Sequence, residues 1–517
     1  MNYNKPWLMA VVLLFLGIQA KGQYANDIIN FSQERKWGTA RFQAMGNAQT
    51  ALGGDISAAS ANPAGLGFFS SSDLSLTFNY LNNANKASFL GNSQTTNKGR
   101  FAIDQAGIVL HMPTYKQHGR TDQGWLNFNV GLNYSRSYDF TNEQVYQGMN
   151  GENSIVNSYV DFMDYNSGDL VDDLYGAYLA DERGDGQGYY PVVRDKGDKL
   201  QNHTLTEKGF RSSTDLAFGA NYSNKFYIGG SLSMVSIQYE KNSSFAELDG
   251  RTKSRQEILN NNSGSELADP NSDNYFVDKY YDLYDELQQK VDASGYNFSL
   301  GMIYKPASDW NIGVNFTSPT WLTVMDDSYE IRDVYYYDNA QDNDASLYSE
   351  NDYEYPFEYD ARTPLRVGIG VAKFFSGGLI SADIDYIDYS SAKFRTLHND
   401  FSFEDDNNQE IKSTYKNAIN ARIGGEILLT PVFSARAGFN YMGNPYKYSD
   451  QTNIQGSLGL GARISNNLYA DLSLLHGAYS YKENPYVIDE GYWGSSSPIA
   501  DISRQQTSAV LTLGVKF

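Results

Sequence analysis

From Thr507 to Phe517 the chain alternates without a break. Ala509, Leu511, Leu513, Val515 and Phe517 fall on one side, and Ser508, Val510, Thr512, Gly514 and Lys516 on the other. A period of two marks an extended strand, here apolar on one face and mostly small or polar on the other. Such a strand needs its apolar face covered by a second protein layer or set against hydrocarbon. The remaining sequence decides between the two.

The same pattern recurs along the chain. Leu126–Ser135, Phe226–Met234 and Ile454–Arg463 repeat it over the roughly 10 residues that a tilted membrane-crossing strand needs. Alternation predicts strands near 72–80, 102–112, 125–135, 214–222, 225–236, 295–304, 309–316, 364–374, 379–387, 418–428, 432–441, 453–463, 468–476 and 507–517. The connections alternate too. Ser223-Asn224, Pro306-Ala307-Ser308, Ser376-Gly377-Gly378, Thr430-Pro431 and Asn466-Asn467 are tight turns, between long stretches near 136–213, 240–292, 317–363, 388–416 and 477–506. A soluble β-sandwich has no reason to alternate connection length in this way, whereas a membrane barrel has short turns on one side and long loops on the other. The predicted fold is all-β: a transmembrane antiparallel β-barrel of about 14 strands. Aromatic content agrees, since 41 Tyr and 27 Phe exceed what a core needs and suit a membrane interface. Tyr222, Phe226, Tyr304, Trp310 and Phe517 fall at the short-turn ends, where an aromatic girdle belongs.

Residues 1–22 read as an export signal: Lys5, the apolar run Trp7 to Ile18, then Ala20-Lys21-Gly22 before an expected mature start at Gln23. A transmembrane anchor fits less well, because the run falls short of the ~20 apolar residues a spanning helix needs. The sequence contains no cysteine, which excludes lipoprotein anchoring, disulfides and thiol catalysis. A formal charge of −21 argues against nucleic acid as a partner. The expected location is the outer membrane, with the signal removed and residues 72–517 forming a monomeric multi-pass barrel among lipid and lipopolysaccharide.

Residues 23–71 differ in texture. Gly38-Thr39-Ala40-Arg41, Ala44-Met45-Gly46-Asn47-Ala48, Thr50-Ala51-Leu52-Gly53-Gly54-Asp55 and Asn62-Pro63-Ala64-Gly65-Leu66-Gly67 are rich in small residues and turn formers. This stretch is too short for a core of its own and too weakly charged for disorder, so it is expected to fill the lumen as an N-terminal hatch, or plug. At these residues the sequence resembles the FadL/OmpP1/TodX family of outer-membrane transporters of hydrophobic compounds. The resemblance implies a fourteen-stranded barrel with a hatch, and passive uptake of long-chain fatty acids or other hydrophobic small molecules. It further implies capture by external loops, binding in the lumen and sideways release into the membrane. Asn62, Pro63, Ala64 and Gly65 are the candidate gating residues; the competing reading of them is a rigid plug turn.

With the apolar positions turned outward, Arg366, Asp383, Asp385, Arg422, Glu426, Arg436, Arg463 and Asp471 fall on the lumenal wall. Opposite charges on neighbouring strands suit structural ladders, or an arginine that receives a substrate carboxylate. No catalytic set is visible and none is assigned: His111, His118, His203, His398 and His476 are scattered without metal-ligand spacing, and no metal or cofactor is expected. Asp405-Asp406-Asn407-Asn408 lacks the full spacing of a calcium loop. The long stretches carry carboxylates (Asp172, Asp173, Asp326, Asp327, Asp342, Asp344) and tyrosines (Tyr335–Tyr337, Tyr353, Tyr355, Tyr359). That composition supports an alternative function, a FadL-like barrel that binds another envelope protein as a subunit of a secretion or assembly complex.

Overall fold

The computed structural model describes residues 20–33, 37–114, 122–340, 342, 344–397, 401–448 and 451–517. Most of the expected export signal, together with His118 and His398, lies outside the described residues.

Fourteen strands close into one antiparallel ring. They are β1 Asp73–Phe89, β2 Asn92–Pro113, β3 Trp125–Asp139, β4 Lys199–Tyr222, β5 Phe226–Arg251, β6 Tyr280–Ala307, β7 Trp310–Thr317 continued by Trp321–Tyr337, and β8 Leu347–Arg362 continued by Arg366–Phe375. The ring goes on through β9 Gly378–Asp388, β10 Asn417–Leu428, β11 Phe433–Tyr441, β12 Thr452–Arg463, β13 Leu468–Glu483 and β14 Ala500–Lys516. Closure is by β14 on β1, in register from Lys516 opposite Asp73 to Ala500 opposite Phe89. Every window of alternation overlaps one of these strands.

The outward positions form an apolar belt. Ile228, Leu232 and Met234 on β5, Leu300 and Met302 on β6, Ile380 and Ile384 on β9, and Leu458 and Leu460 on β12 are 42–69 % exposed. An apolar ring of this extent belongs in hydrocarbon, and strands can cross it only as a closed barrel that leaves no backbone group unpaired. Below the belt, at the short-turn end, Phe226 stacks on Tyr304 at 4.7 Å and Trp125 meets Tyr222 edge-on at 5.2 Å.

The stretches read as loops need correction. Residues 199–213, 240–251, 280–292, 321–337 and 347–362 are strand, so that β4, β5 and β6 reach 24, 26 and 28 residues. They extend the barrel beyond the belt. There the outward face meets water and carries Gln238, Glu240, Lys290 and Asp292 instead of Leu or Ile, so the hydrophobic alternation stops while the ladder continues. Tyr335–Tyr337, Tyr353, Tyr355 and Tyr359 lie on these extensions, with Tyr336 and Tyr359 fully buried. β7 and β8 bend together at Ser318-Pro319-Thr320 and Thr363-Pro364-Leu365, where proline cannot donate to the ladder. Thr320 and Thr363 bridge the gap: the Thr320 amide donates to the Thr363 hydroxyl at 2.9 Å, and the Thr363 amide to the Thr320 carbonyl at 3.0 Å.

Above the extensions sits a cap made from the β3–β4, β5–β6 and β13–β14 connections. Helix Ile155–Met163 buries Ile155, Tyr159 and Val160 against Val192, Phe245, Tyr281, Val334 and Tyr486. Residues 401–414, including Asp405 and Asp406, form a helix rather than an ion-binding loop, with Asn407 and Asn408 turned inward.

Candidate functional site in the barrel lumen

Residues 37–69 cross the lumen with little regular structure, and local caps fold them. Thr39 caps helix Ala40–Ala44 by accepting from the Phe42 amide at 3.2 Å, and donates its hydroxyl to Asp55 at 2.6 Å. Asn62 does the same for the tight turn Pro63–Phe68, accepting from the Ala64 amide at 3.2 Å while donating to the Thr50 carbonyl at 2.6 Å. Proline at the first position of that turn fits the geometry because its missing N–H has no partner to lose. Asn62, Pro63, Ala64 and Gly65 are all buried.

A segment without a ladder must find outside partners for its carbonyls. The wall supplies them from asparagine side chains. Asn129 donates to Leu66 O at 2.6 Å, Asn311 to Ala51 O at 2.9 Å and Asn315 to Ala61 O at 3.0 Å. Ser457 donates to Ala44 O at 2.9 Å, and the Ala40 amide donates to Thr512 at 2.7 Å. These residues were missed in the sequence; the available signal was inward asparagine in strands, where asparagine is otherwise depleted. Glycines complete the seat: a Cβ on Gly438 would stand 2.0 Å from the Gly46 nitrogen, and one on Gly313 2.0 Å from the Thr50 carbonyl oxygen.

The charged wall residues separate into groups. Arg41 of the segment pairs with Glu426 on β10 at 3.0 Å; Glu426 also holds Arg436 on β11 at 2.6 Å, which reaches Asp471 on β13 at 2.5 Å. Arg422 pairs with Asp385 at 2.6 Å and lies 3.8 Å from Asp383, which accepts from the Thr50 amide at 2.8 Å. Arg366 stands apart and donates to the Ser32 carbonyl at 2.5 Å. Arg463, though on the inward side of its strand, is exposed at the short-turn rim and joins neither group.

Above the segment the lumen turns apolar. The helix Ala20–Ser32, α1, lies in a chamber lined by Val235, Ile237, Val291, Leu322, Tyr359 and Phe394, and buries Tyr24, Ala25, Ile28, Ile29 and Phe31 there. Tyr24 meets Tyr359 edge-on at 5.1 Å, and Phe31 meets Tyr239 at 5.8 Å. Arg366 caps the C-terminal end of α1, where a cation suits the exposed carbonyls. Polar contacts cross the chamber too: the Gln289 amide donates to both Asp27 and Asp326 at 2.8 Å, and the Tyr415 hydroxyl donates to Asn26 at 3.2 Å. Burial, and then the neighbouring Asp326, push the Asp27 carboxyl up to about 7. Among the described residues, no three His, Asp or Glu side chains are arranged to hold a metal ion.

No protein-family model matches the sequence, and no curated protein does. Among solved structures, a FadL homologue from Pseudomonas aeruginosa superposes with a TM-score of 0.52, covering 93 % of this chain and 98 % of that one at 13 % identity. The fold is FadL-type. The toluene transporter TodX of Pseudomonas putida aligns over 94 % of this chain and 99 % of its own at 15 % identity and a TM-score of 0.48. The monoaromatic hydrocarbon channel CymD covers 93 % and 97 % at 12 % identity, with a TM-score of 0.46. In this FadL-type barrel, strand pairing is uneven at one seam. β2 pairs with β3 only up to Gln105 opposite Ser135, and Asp104 bulges out of the β1–β2 register just above. Arg100 fills the gap and pairs with Asp104 at 3.1 Å and with Asp139.

Proposed function

We propose that this barrel is a passive outer-membrane channel for hydrophobic small molecules, long-chain fatty acids or hydrocarbons, rather than an enzyme. The observation that carries the reading is the apolar chamber above the segment. A channel for hydrophilic solutes has a polar lumen, whereas here valine, isoleucine, leucine and aromatic rings line it. Residues 23–71 act as the hatch, with the Asn62–Gly65 turn as the part that must shift for a ligand to pass. The interrupted β2–β3 seam, still level with the exposed Phe101 and Ile103, supports a sideways exit into the outer leaflet. The charged groups on β9–β13 serve to hold the hatch, since Arg422, Asp383, Asp385, Glu426, Arg436 and Asp471 already have carboxylate or guanidinium partners in the wall.

The test is oleate and toluene entry into liposomes carrying the purified protein. Wild type should speed entry over protein-free vesicles, and Val291→Arg, which places a charge in the chamber, should abolish the gain. Equal rates in all three preparations would refute the channel.

The cap favours a second role. It has its own core and leaves Tyr165, Tyr175 and Tyr492 exposed by 83, 48 and 48 %, a surface suited to an envelope-protein partner. Native sizing after mild extraction distinguishes a stable larger complex from a lone barrel.

A further inference from the structure

A second site lies outside the lumen, at the long-loop rim over β9 and β10. There helix Phe401–Thr414 ends and the chain turns through Tyr415 and Lys416 into β10, while residues 443–448 cross over the turn. The crossing is pinned at three places. The Lys416 amide donates to Pro445 O at 2.8 Å, the Lys447 amide donates to Thr414 O at 2.9 Å, and the Tyr415 and Tyr446 rings lie 5.2 Å apart. Between these segments is a cavity of about 360 Å³ lined by Ser390, Lys412, Tyr415, Lys416, Asn417 and Lys447.

Three lysines in one cavity are unexpected in a chain with 40 basic and 61 acidic residues. Among the described residues none of the three forms an ion pair; the Lys447 ammonium only donates to the Lys412 carbonyl, near the helix end. The adjacent carboxylates accept from hydroxyls, Glu410 from Thr414 at 2.5 Å and Asp388 from Ser390 at 2.6 Å. Like charges lining one cavity repel, and an anion between them relieves the repulsion.

Depth in the membrane selects the anion. Asn417 shares the outward side of β10 with Ile419, which is 56 % exposed, and the outward Tyr386 of β9 beside it is 41 % exposed. These two mark the top of the apolar belt. A group in the cavity therefore sits at headgroup level, directly above a surface made for acyl chains. We propose that this cavity binds the phosphate of an outer-leaflet lipid, with Lys412, Lys416 and Lys447 on the phosphate oxygens and the lipid chains over Ile419 and Tyr386. A phosphate offers three acceptor oxygens and close to two negative charges, which suits three ammonium groups better than a single carboxylate does.

The experiment measures binding of diphosphoryl lipid A, its dephosphorylated form, and inorganic phosphate to the full-length barrel in neutral detergent, by native mass spectrometry. Near an anionic membrane surface each lysine contributes about fivefold, so K412Q/K416Q/K447Q should bind diphosphoryl lipid A roughly 100-fold more weakly than wild type. K412R/K416R/K447R should stay within a few-fold of wild type, which separates loss of charge from misfolding. Dephosphorylated lipid should bind wild type and the glutamine variant alike. Wild-type affinity in the glutamine variant would overturn the site, as would equal wild-type binding of both lipids. Displacement of the lipid by an equal concentration of inorganic phosphate would overturn the lipid as its source.

Discussion

Replacing Gly438 with alanine should loosen residues 37–69 from the wall while leaving the barrel closed. Gly438 faces inward on β11 between Gly424 and Ser457, and a Cβ there would lie 2.0 Å from the Gly46 nitrogen and 2.3 Å from the Met45 carbonyl carbon. Both obstacles are backbone, so no side chain can swing aside. Gly46 sits at φ +62 in its turn. The segment must then retreat by about 1 Å, and overpacking of this kind costs about 1–3 kcal/mol. Retreat also strains two hydrogen bonds at Ser457, from the Gly46 amide at 3.2 Å and to the Ala44 carbonyl at 2.9 Å. At about 1 kcal/mol each, the total is roughly 3–5 kcal/mol against docking. The ladder between β10, β11 and β12 is untouched. In planar bilayers the variant should open ion conductance that wild type lacks, Gly438→Val more so, with only a small change in barrel melting. Gly456→Ala on the next strand is the control, because a Cβ there meets nothing within 4 Å. A Gly438→Ala barrel as silent as wild type would refute the proposed seating of residues 37–69.

Two further perturbations separate wall from chamber. Arg436→Gln leaves Asp471 without its guanidinium and Glu426 with Arg41 alone, and breaking a buried pair of this kind costs about 3–5 kcal/mol; barrel melting should fall markedly, whereas Arg41→Gln should raise conductance with little change in melting. The Asp27 carboxyl, raised from 3.8 to about 7 in the fold, binds a proton that the unfolded chain releases near pH 4. Stability is therefore lost as pH rises between those values, by up to about 1.4 kcal/mol per pH unit. Proteolysis of α1 should accordingly be slower at pH 5 than at pH 8, and Asp27→Asn should remove the difference; a pH-independent wild type would refute the assignment.

The residues show how far the sequence reaches. Within the belt, side chains face lipid or lumen at every second position, and lipid accepts only apolar groups, so Ile228, Leu232 and Met234 announce β5 unaided. Past Met234 the outward neighbour becomes water, which accepts Gln238 and Glu240, and half of the strand disappears from the pattern while its hydrogen bonds continue to Arg251. The lumenal charges were legible as a set, yet their partners were not. Arg422 could have met any carboxylate on β9 or β10; register alone puts it opposite Asp383 and beside Asp385.

The alternation by itself determined that this chain closes as a barrel of about fourteen strands, because lipid imposes its rule locally, residue by residue. Only the tertiary structure decided what fills it. The carbonyls of residues 37–69 are satisfied by asparagines on β3 and β7 that lie 63 to 260 residues away in the chain, and α1 finds its apolar partners on strands from β5 to β10. Those pairings depend on where a closed ring brings distant side chains together, which no local pattern encodes.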